Sequence, residues 1–272
     1  MRLKGKTAVI VGAGQSPGSG MGNGRATALR FAQEGAKVMS VDRELALAED
    51  TAAIVREKCG KSGDDIFAFE ADVTKEAAMA AMIAAAQKQW GRIDILHYNV
   101  GVSIAGGDAP PTEITEEAFD RVVAINLRGV VMACKHVLPV MRAQKSGVIL
   151  MISSLAAVER YPYVAYKATK AAMVAYTQQL AIQNAEYGIR ANSILPGLMD
   201  TPMAVDTRAR QTGKSRAEIA AMRDARVPLR KKMGTAWDVA NAALFLASEE
   251  ANFITGVDLL VDGGGALNIG HQ

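Results

Sequence analysis

A tyrosine and a lysine lie four residues apart in the stretch YKATK, residues 166–170, inside a segment (163–187) that predicts a helix. Side chains four positions apart share one face of a helix. An ammonium group beside a phenol favours the phenolate and lowers the phenol pKa from its usual value of about 10. Tyr166 could then accept a proton in one direction of a reaction and return it in the other. The pair with Lys170 therefore predicts general acid–base chemistry.

A glycine-rich stretch near the start of the chain predicts a phosphate-binding turn. Residues 11–26, VGAGQSPGSGMGNGRA, hold six glycines between the apolar run TAVIV (7–11) and a helix-like segment (24–34). Glycines let the backbone approach a ligand, and a helix N-terminus presents free N–H groups and a positive dipole to a pyrophosphate. The turn is longer than a dinucleotide-binding turn usually is. The sequence leaves open whether its extra residues line the pyrophosphate or lean toward the substrate.

An acidic residue follows the turn at the spacing that a dinucleotide site requires. Asp42 ends the second predicted strand, 18 residues after Gly24. A carboxylate at this position accepts both hydroxyls of an adenosine ribose and repels a 2′-phosphate, which favours NAD over NADP. The adjacent Arg43 could accommodate that phosphate, so NADP remains the less favoured alternative.

The elements that must position these residues alternate between short apolar runs and longer alanine-rich segments. Strands are predicted at 7–11, 37–41, 66–70, 93–98, 147–152, 190–195 and 257–261, and helices at 24–34, 44–59, 75–90, 115–143, 163–187 and 235–248. The strands are continuously apolar, as parallel strands covered on both faces are. The pattern predicts an α/β fold, a single-domain doubly wound parallel sheet (Rossmann-like) over 1–272, with about seven strands and helices on both faces. The long connection at 198–232 predicts a substrate lid.

Composition and charge narrow the classes of function. Half of the 272 residues are apolar and the net charge is only +3, so nucleic acid is not an expected partner. Cys59 and Cys134 form no CxxC motif and the three histidines show no metal spacing, which favours reduced thiols, a cytoplasmic protein and no metal site. No signal peptide and no apolar run of about 18 residues is present, so no membrane span is expected. Residues 208–232 carry nine Lys or Arg against two acidic residues, which indicates either a solvated lid face or attraction of an anionic substrate.

The order of these motifs resembles the classical short-chain dehydrogenase/reductase family over nearly the whole chain. Aligned on the following helix, the family's TGxxxGxG motif matches Gly12 and then Gly22-Asn23-Gly24, with nine residues between Gly12 and Gly22 where the family has three. A literal GxxxGxG match at 14–20 is the alternative register. Val11 stands where the family usually has Thr. Tyr98 and Val100 depart from the family's NNAG, whereas Asn99 and Gly101 match it.

The resemblance implies a dinucleotide site assembled along the whole chain. Asp72-Val73 matches the DV after the third strand, Asn126 begins an NxxG match, and residues 166–170 match YxxxK. The implied cofactor-binding residues are Gly12, Gly22, Asn23, Gly24, Asp42, Arg43, Asp72, Val73, Asn99, Gly101, Tyr166, Lys170, Pro196, Gly197 and Thr201.

The resemblance also implies an NAD-dependent oxidoreductase that interconverts a secondary alcohol and a ketone by hydride transfer. Tyr166 would be the general acid/base, Lys170 would hold the nicotinamide ribose, and Asn126 would hold a water that links Lys170 to solvent. A serine hydroxyl would bind the substrate oxygen. Its distance from the tyrosine points to Ser153, whereas the family's local pattern points to Ser154, which we favour.

The substrate is expected to be a small-molecule alcohol or ketone that contacts Ser154, Tyr161, Met199 and Met203. Two other readings stay open: an NADPH-linked 3-oxoacyl-type ketone reductase, and a sensor that binds a dinucleotide without turnover. The resemblance further implies a homotetramer, with the helices at 115–143 and 163–187 and the C-terminal segment at its interfaces.

Overall fold

Seven parallel strands form the central sheet in the computed structural model, which describes residues 1–267. The strands are β1 (Thr7–Val11), β2 (Lys37–Asp42), β3 (Ile66–Glu70), β4 (Ile95–Tyr98), β5 (Gly147–Ile152), β6 (Ile189–Pro196) and β9 (Asp258–Val261), and the spatial order is β3-β2-β1-β4-β5-β6-β9. A separate parallel pair joins β7 (Met199–Asp200) to β8 (Gly234–Thr235). The predicted strands are confirmed, with ends that differ by at most two residues.

Helices cover both faces of this sheet. The helices are α1 (Asn23–Gln33), α2 (Leu45–Cys59), α3 (Glu76–Trp90), α4 (Glu116–Val123), α5 (Gly129–Gln144), α6 (Val164–Asn184), α7 (Thr207–Thr212), α8 (Arg216–Asp224) and α9 (Ala236–Ala247). Alternate residues of β1 point to opposite faces. Val9 and Val11 pack into the core shared with α3, α5 and α6, whereas Ala8 and Ile10 pack with α1, α2 and α9. The doubly wound α/β fold is confirmed.

The helix predicted at 115–143 is continuous but not regular. A π-helical segment, Ala124–Arg128, separates α4 from α5. The whole stretch Glu116–Gln144 is long and apolar enough, by length and composition, to cross a bilayer. In this fold α5 packs against α3 and α4 packs against α6, and five residues of α5 lie in the core: Val130, Ala133, Cys134, Val137 and Met141.

The long connection after β6 is folded rather than a loop. It contains a π-helical segment (Pro202–Asp206), α7 and α8. Four buried residues between the start of this connection and β8 form a separate small apolar cluster: Val205, Ile219, Val227 and Met233. The basic stretch 208–232 allowed a solvated amphipathic lid helix, but the sequence did not give the bounds of these helices, because short polar helices carry little apolar periodicity. Ser215 and Glu218 start α8 with reciprocal capping hydrogen bonds.

Candidate active site

Most of the predicted site residues lie at one edge of the sheet. Parallel strands end at a common edge, and ligands of open α/β sheets bind there, where the strand order reverses. That reversal falls between β1 and β4 in this sheet. The site residues that end or follow successive strands at this edge are Gly12, Asp42, Asp72, Asn99, Ser154 and Pro196.

The glycines of the two candidate registers have different surroundings in the structure. Gly22 is the N-cap of α1, with φ −83° and ψ 151° and no side-chain cap. A Cβ on Gly24 would lie 2.0 Å from the carbonyl oxygen of Gly12, which also accepts a hydrogen bond from Asn99 Nδ2 at 3.0 Å. Gly24 therefore permits the close packing of helix on strand. Gly18 and Gly20 of the alternative register lie in the exposed extra part of the turn.

The start of α1 has unused polar groups that fit a phosphate-bearing ligand. Its first N–H groups have no capping side chain, and Asn23 Oδ1 is buried without a hydrogen-bond partner within residues 1–267. A Cβ on Gly101 would lie 2.9 Å from Lys170 Nζ, so a glycine there keeps the backbone beside the lysine. Free helix N–H groups and glycine backbone are the donor set that binds a pyrophosphate. The residues present fit a dinucleotide.

The acidic residues after β2 and β3 lie along the same edge. Asp42 Oδ2 accepts a hydrogen bond from the Gly14 N–H at 3.1 Å, and burial raises the pKa of its carboxyl. The side chain of Arg43 is 73% exposed and pairs with Glu44 at 3.3 Å. Asp72 Oδ1 accepts hydrogen bonds from the N–H and hydroxyl of Thr74. The Arg43 guanidinium thus contacts the Glu44 carboxylate and is otherwise exposed to solvent.

The tyrosine and lysine share a helix face as predicted, but their electrostatics differ from the expectation. Burial raises the pKa of Tyr166 to about 12, against a lowering interaction with the Ser154 hydroxyl. Lys170 Nζ lies 5.7 Å from the centre of the tyrosine ring and donates instead to the Ile152 carbonyl at 2.8 Å. Burial also lowers the Lys170 pKa to about 7. Burial therefore outweighs the ammonium at the tyrosine in this structure, and the lowering of the phenol pKa by Lys170 and a bound cofactor stays a prediction.

The two adjacent serines have different surroundings. Ser153 is 2% exposed, and its hydroxyl donates to the Lys170 carbonyl at 2.8 Å. Ser154 is half-buried, begins a 3₁₀ turn and interacts with the Tyr166 phenol. Successive side chains at a strand end point to opposite sides. Ser153 therefore ties β5 to α6, and Ser154 is the serine beside the phenol.

Asn126 lies in the π-helical segment and is fully buried. Its Oδ1 accepts from the Val102 N–H at 2.8 Å, and its Nδ2 donates to the Val102 carbonyl at 2.9 Å and to Thr169 Oγ1 at 3.1 Å. The side chain thus links the loop after β4 to α6. π-helical segments within α-helices occur frequently at functional sites.

Tyr98, which departs from the family motif, packs against this π-helical segment. It is fully buried, and its hydroxyl donates to the Ile125 carbonyl at 3.1 Å. A Cβ on Gly129 would lie only 2.4 Å from the tyrosine oxygen. The glycine of the NxxG match therefore leaves room for the larger side chain. Tyr98 is a packing residue, and burial raises its pKa far above the usual value.

Asp108 is a site residue that the sequence analysis missed. Its carboxylate is 5% exposed and accepts hydrogen bonds from the backbone N–H groups of Ala165 and Tyr166, both at 2.9 Å. Ser103 Oγ donates to the same carboxylate and lies 3.1 Å from the Tyr161 hydroxyl. Asp108 thus caps α6, whose own preceding residue offers no cap. Capping rules could not find it, because it lies 57 positions before Ala165, whose N–H it accepts.

The predicted substrate residues are only partly brought together. Tyr161 stacks near Tyr166, with ring centroids 5.4 Å apart, and Met203 is 43% exposed on the lid. Met199 does not belong to this wall, which corrects the prediction: its side chain is buried in the core and its sulfur packs against Gly234. Thr201 caps the segment that carries Met203.

The remaining predicted cofactor residues lie in tightly packed backbone. A Cβ on Gly197 would lie 2.7 Å from Asp262 Cα, and the Gly197 N–H donates to the Val261 carbonyl. Pro196 ends β6, and Val73 belongs to the core cluster. Within residues 1–267 no group of three or more His, Cys, Asp or Glu side chains is arranged to hold a metal ion. His271 lies outside the described residues.

The order of the seven parallel strands, with helices on both faces, defines a doubly wound α/β protein of the Rossmann-like class. A family profile described as "Enoyl-(Acyl carrier protein) reductase" matches residues 18–266. The chain is 37% identical over 248 residues to 2-(R)-hydroxypropyl-CoM dehydrogenase of Xanthobacter autotrophicus, covering 90% of this chain and 95% of that protein. It is 35% identical to levodione reductase of Leifsonia aquatica, covering 91% of each. A short-chain dehydrogenase/reductase from Burkholderia xenovorans superposes with a TM-score of 0.90 at 40% identity, over 99% of both chains. The chain belongs to the short-chain dehydrogenase/reductase family.

Proposed function

We propose that the protein is an NAD-dependent oxidoreductase that interconverts a secondary alcohol and a ketone. The observation that carries the proposal is the cluster of Ser154, Tyr166, Lys170 and Asn126 at the carboxyl edge of the sheet, beside the start of α1. Two relatives are named as a dehydrogenase and a reductase, which supports chemistry in this class. A non-catalytic sensor would have no chemical need for all four residues.

The cofactor proposal rests on the polar groups at the edge of the sheet. The proposed contacts are the free N–H groups at the start of α1 for the pyrophosphate, Asp42 for the adenosine ribose and Asp72 for the adenine. Lys170 and the segment from Pro196 to Thr201 complete the site at the nicotinamide end. When bound, the dinucleotide supplies the hydride acceptor or donor.

The chain's own residues supply the proton chemistry. Tyr166 takes the hydroxyl proton during alcohol oxidation and returns it during ketone reduction. Ser154 donates a hydrogen bond to the substrate oxygen, where negative charge develops. Asp108 fixes the backbone of Tyr166, and through Ser103 it also orients the Tyr161 hydroxyl on the substrate side. Asn126 holds the loop after β4 against α6, in which the tyrosine and lysine lie.

NAD is expected to bind at least about tenfold more tightly than NADP. A 2′-phosphate beside the Asp42 carboxylate places like charges together, and such a contact costs several kcal/mol, at about 1.4 kcal/mol per tenfold in affinity. Side-by-side calorimetric titration of the purified protein measures both dissociation constants. Asp42→Asn removes the negative charge beside the ribose and should bring the dissociation constants of NAD and NADP closer together. Tighter NADP binding by the unaltered protein would contradict the proposal and favour an NADPH-linked ketone reductase, with Arg43 turned to the phosphate.

We further propose a cytoplasmic homotetramer with a single domain and a lid at 198–232. Cys59 and Cys134 are both free, which is compatible with a reducing compartment. Large apolar side chains are exposed in each of the three regions expected at interfaces: Phe119 on α4, Ile182 on α6, and Phe253 and Leu267 near the C-terminus. Light scattering after gel filtration should give four times the 28.8 kDa chain mass; a monomer mass would refute the assembly.

A further inference from the structure

The extra residues of the glycine turn contact the lid. This stretch, residues 15–20, is called the turn insert. The N–H of Ser19 donates to Asp206 Oδ1 at 3.2 Å, and Arg210 Nη1 donates to the Pro17 carbonyl at 3.1 Å. Gly18, with φ +147°, packs so closely that a Cβ there would lie 2.6 Å from Asp206 Cγ. The added residues therefore end on the lid rather than in solvent.

The other end of the turn insert is fixed to the start of α1. Gln15 Oε1 accepts from the N–H of Gly22, the N-cap of that helix, at 2.9 Å. Its Nε2 donates to the Gly20 carbonyl at 3.1 Å. One side chain therefore closes the insert into a loop beside the N–H groups that are proposed to bind the pyrophosphate.

Through Arg216, Asp206 extends the contact to Asp200, in the segment Pro196 to Thr201 that is proposed to complete the nicotinamide end of the site. Its side chain is 13% exposed, and Oδ2 accepts from Arg216 Nε at 3.3 Å. Arg216 Nη2 also donates to Asp200 Oδ1 at 2.5 Å. Asp200 precedes Thr201, the cap of the segment Pro202–Asp206, and Asp206 is the last residue of that segment. A continuous set of hydrogen bonds thus joins the glycine turn to both ends of residues 200–206.

We propose that the turn insert holds this part of the lid in place over the dinucleotide, with Asp206 as the positioning residue that joins the two. The inference rests on the proposed dinucleotide site. The protein regions that bind the pyrophosphate and the nicotinamide are then joined by protein hydrogen bonds as well as by the bound dinucleotide. The dinucleotide leaves only after the contacts of Asp206 break, so these contacts slow its release.

Asp206→Ala should raise the NADH dissociation rate about tenfold, which corresponds to about 1.4 kcal/mol. Stopped-flow fluorescence measures this rate, and equilibrium titration gives the dissociation constants of NADH and AMP. Affinity for AMP should not change, because the proposed adenosine contacts, Asp42 and Asp72, form their hydrogen bonds with Gly14, Glu44 and Thr74, none of which belongs to the lid. Asp206→Asn keeps an oxygen acceptor for the Ser19 N–H, so its NADH dissociation rate should lie between those of the unaltered protein and Asp206→Ala. Lys214→Gln, on the same lid without a contact to the insert, serves as the matched control.

A second pair of variants tests the contact from the side of the turn. Gly18→Ala drives a methyl group into Asp206 and should accelerate NADH release as the Asp206 variant does. Gly20→Ala shares the positive φ, at +95°, but its nearest neighbour is Arg216 Nη2 at 3.8 Å. It therefore controls for backbone strain, and it should change the rate less than twofold.

The outcomes separate this inference from the proposed function. Unchanged NADH release in Asp206→Ala and Gly18→Ala would overturn the positioning role while leaving the dinucleotide site intact. An equal loss of AMP and NADH affinity would also overturn it, because the variants would then have damaged the fold. Absence of binding of both NADH and NADPH by the unaltered protein would remove the proposed function itself.

Discussion

Tyr166→Phe should lower kcat for alcohol oxidation by about 10²- to 10⁴-fold, the usual contribution of a positioned general acid or base. The phenyl ring keeps the packing against Tyr161, and only the hydroxyl is lost. The dissociation constant of NAD should therefore stay within about twofold. The measurement is steady-state kinetics on the secondary alcohol that the unaltered protein oxidises fastest, together with calorimetry for NAD. Undiminished turnover would remove the proposed mechanism.

The pH dependence of the same reaction has a defined sign. Burial raises the pKa of Tyr166 to about 12, so the phenol is protonated at neutral pH. Oxidation needs the deprotonated form as base, so its rate should rise with pH, whereas ketone reduction uses the protonated form and should not. Tyr166→Phe should abolish the rise. A persistent rise in this variant would assign the base to another group.

The adjacent serines provide a matched pair for this mechanism. Ser154→Ala removes the hydroxyl beside the phenol and should lower kcat by about 10²- to 10³-fold, as loss of an oxyanion donor does. Ser153→Ala removes a buried hydrogen bond to the Lys170 carbonyl and should act mainly on stability, by about 1–2 kcal/mol. The opposite pattern would make Ser153 the substrate-binding residue.

Gly24→Ala should destabilise the protein by about 3 kcal/mol or more and abolish dinucleotide binding. The new methyl group would lie 2.0 Å from the Gly12 carbonyl oxygen and 2.8 Å from Asn99 Nδ2, both in the packed junction of β1, α1 and the loop after β4. Overpacking of such a site costs about 1–3 kcal/mol and occasionally more. The thermal midpoint should fall by roughly 10 °C, since about 2–4 °C is lost per kcal/mol at this chain length. Thermal unfolding followed by circular dichroism measures it.

Gly22→Ala is the control for this substitution. It lies two residues earlier in the same turn, has φ −83°, and its Cβ would meet Gln15 Cγ at an ordinary 3.7 Å. The expected loss of stability is below about 1 kcal/mol. If the two alanine variants lost the same free energy of unfolding, the close packing at Gly24 would not be the cause of the loss.

The sequence by itself determined the alternation of strands and helices, and therefore the sheet. Strand residues such as Val9 and Ile10 are apolar on both faces, and that pattern occurs where helices cover a parallel sheet. It also determined that Tyr166 and Lys170 share a helix face and that Asp42 ends the second strand. These properties depend on spacing within one element or on the order of elements, which a chain displays directly.

Only the tertiary structure decided how these residues are surrounded. Asp108 caps a helix that starts more than fifty residues later, and Ser19 contacts Asp206 across 187 positions. The direction of the Lys170 ammonium and the separation of Ser153 from Ser154 also depend on which neighbours pack against them. Hydrogen bonds between distant segments form, and their side chains become buried, only when the folded sheet brings those segments together. The spacing of residues within one segment therefore does not predict these contacts.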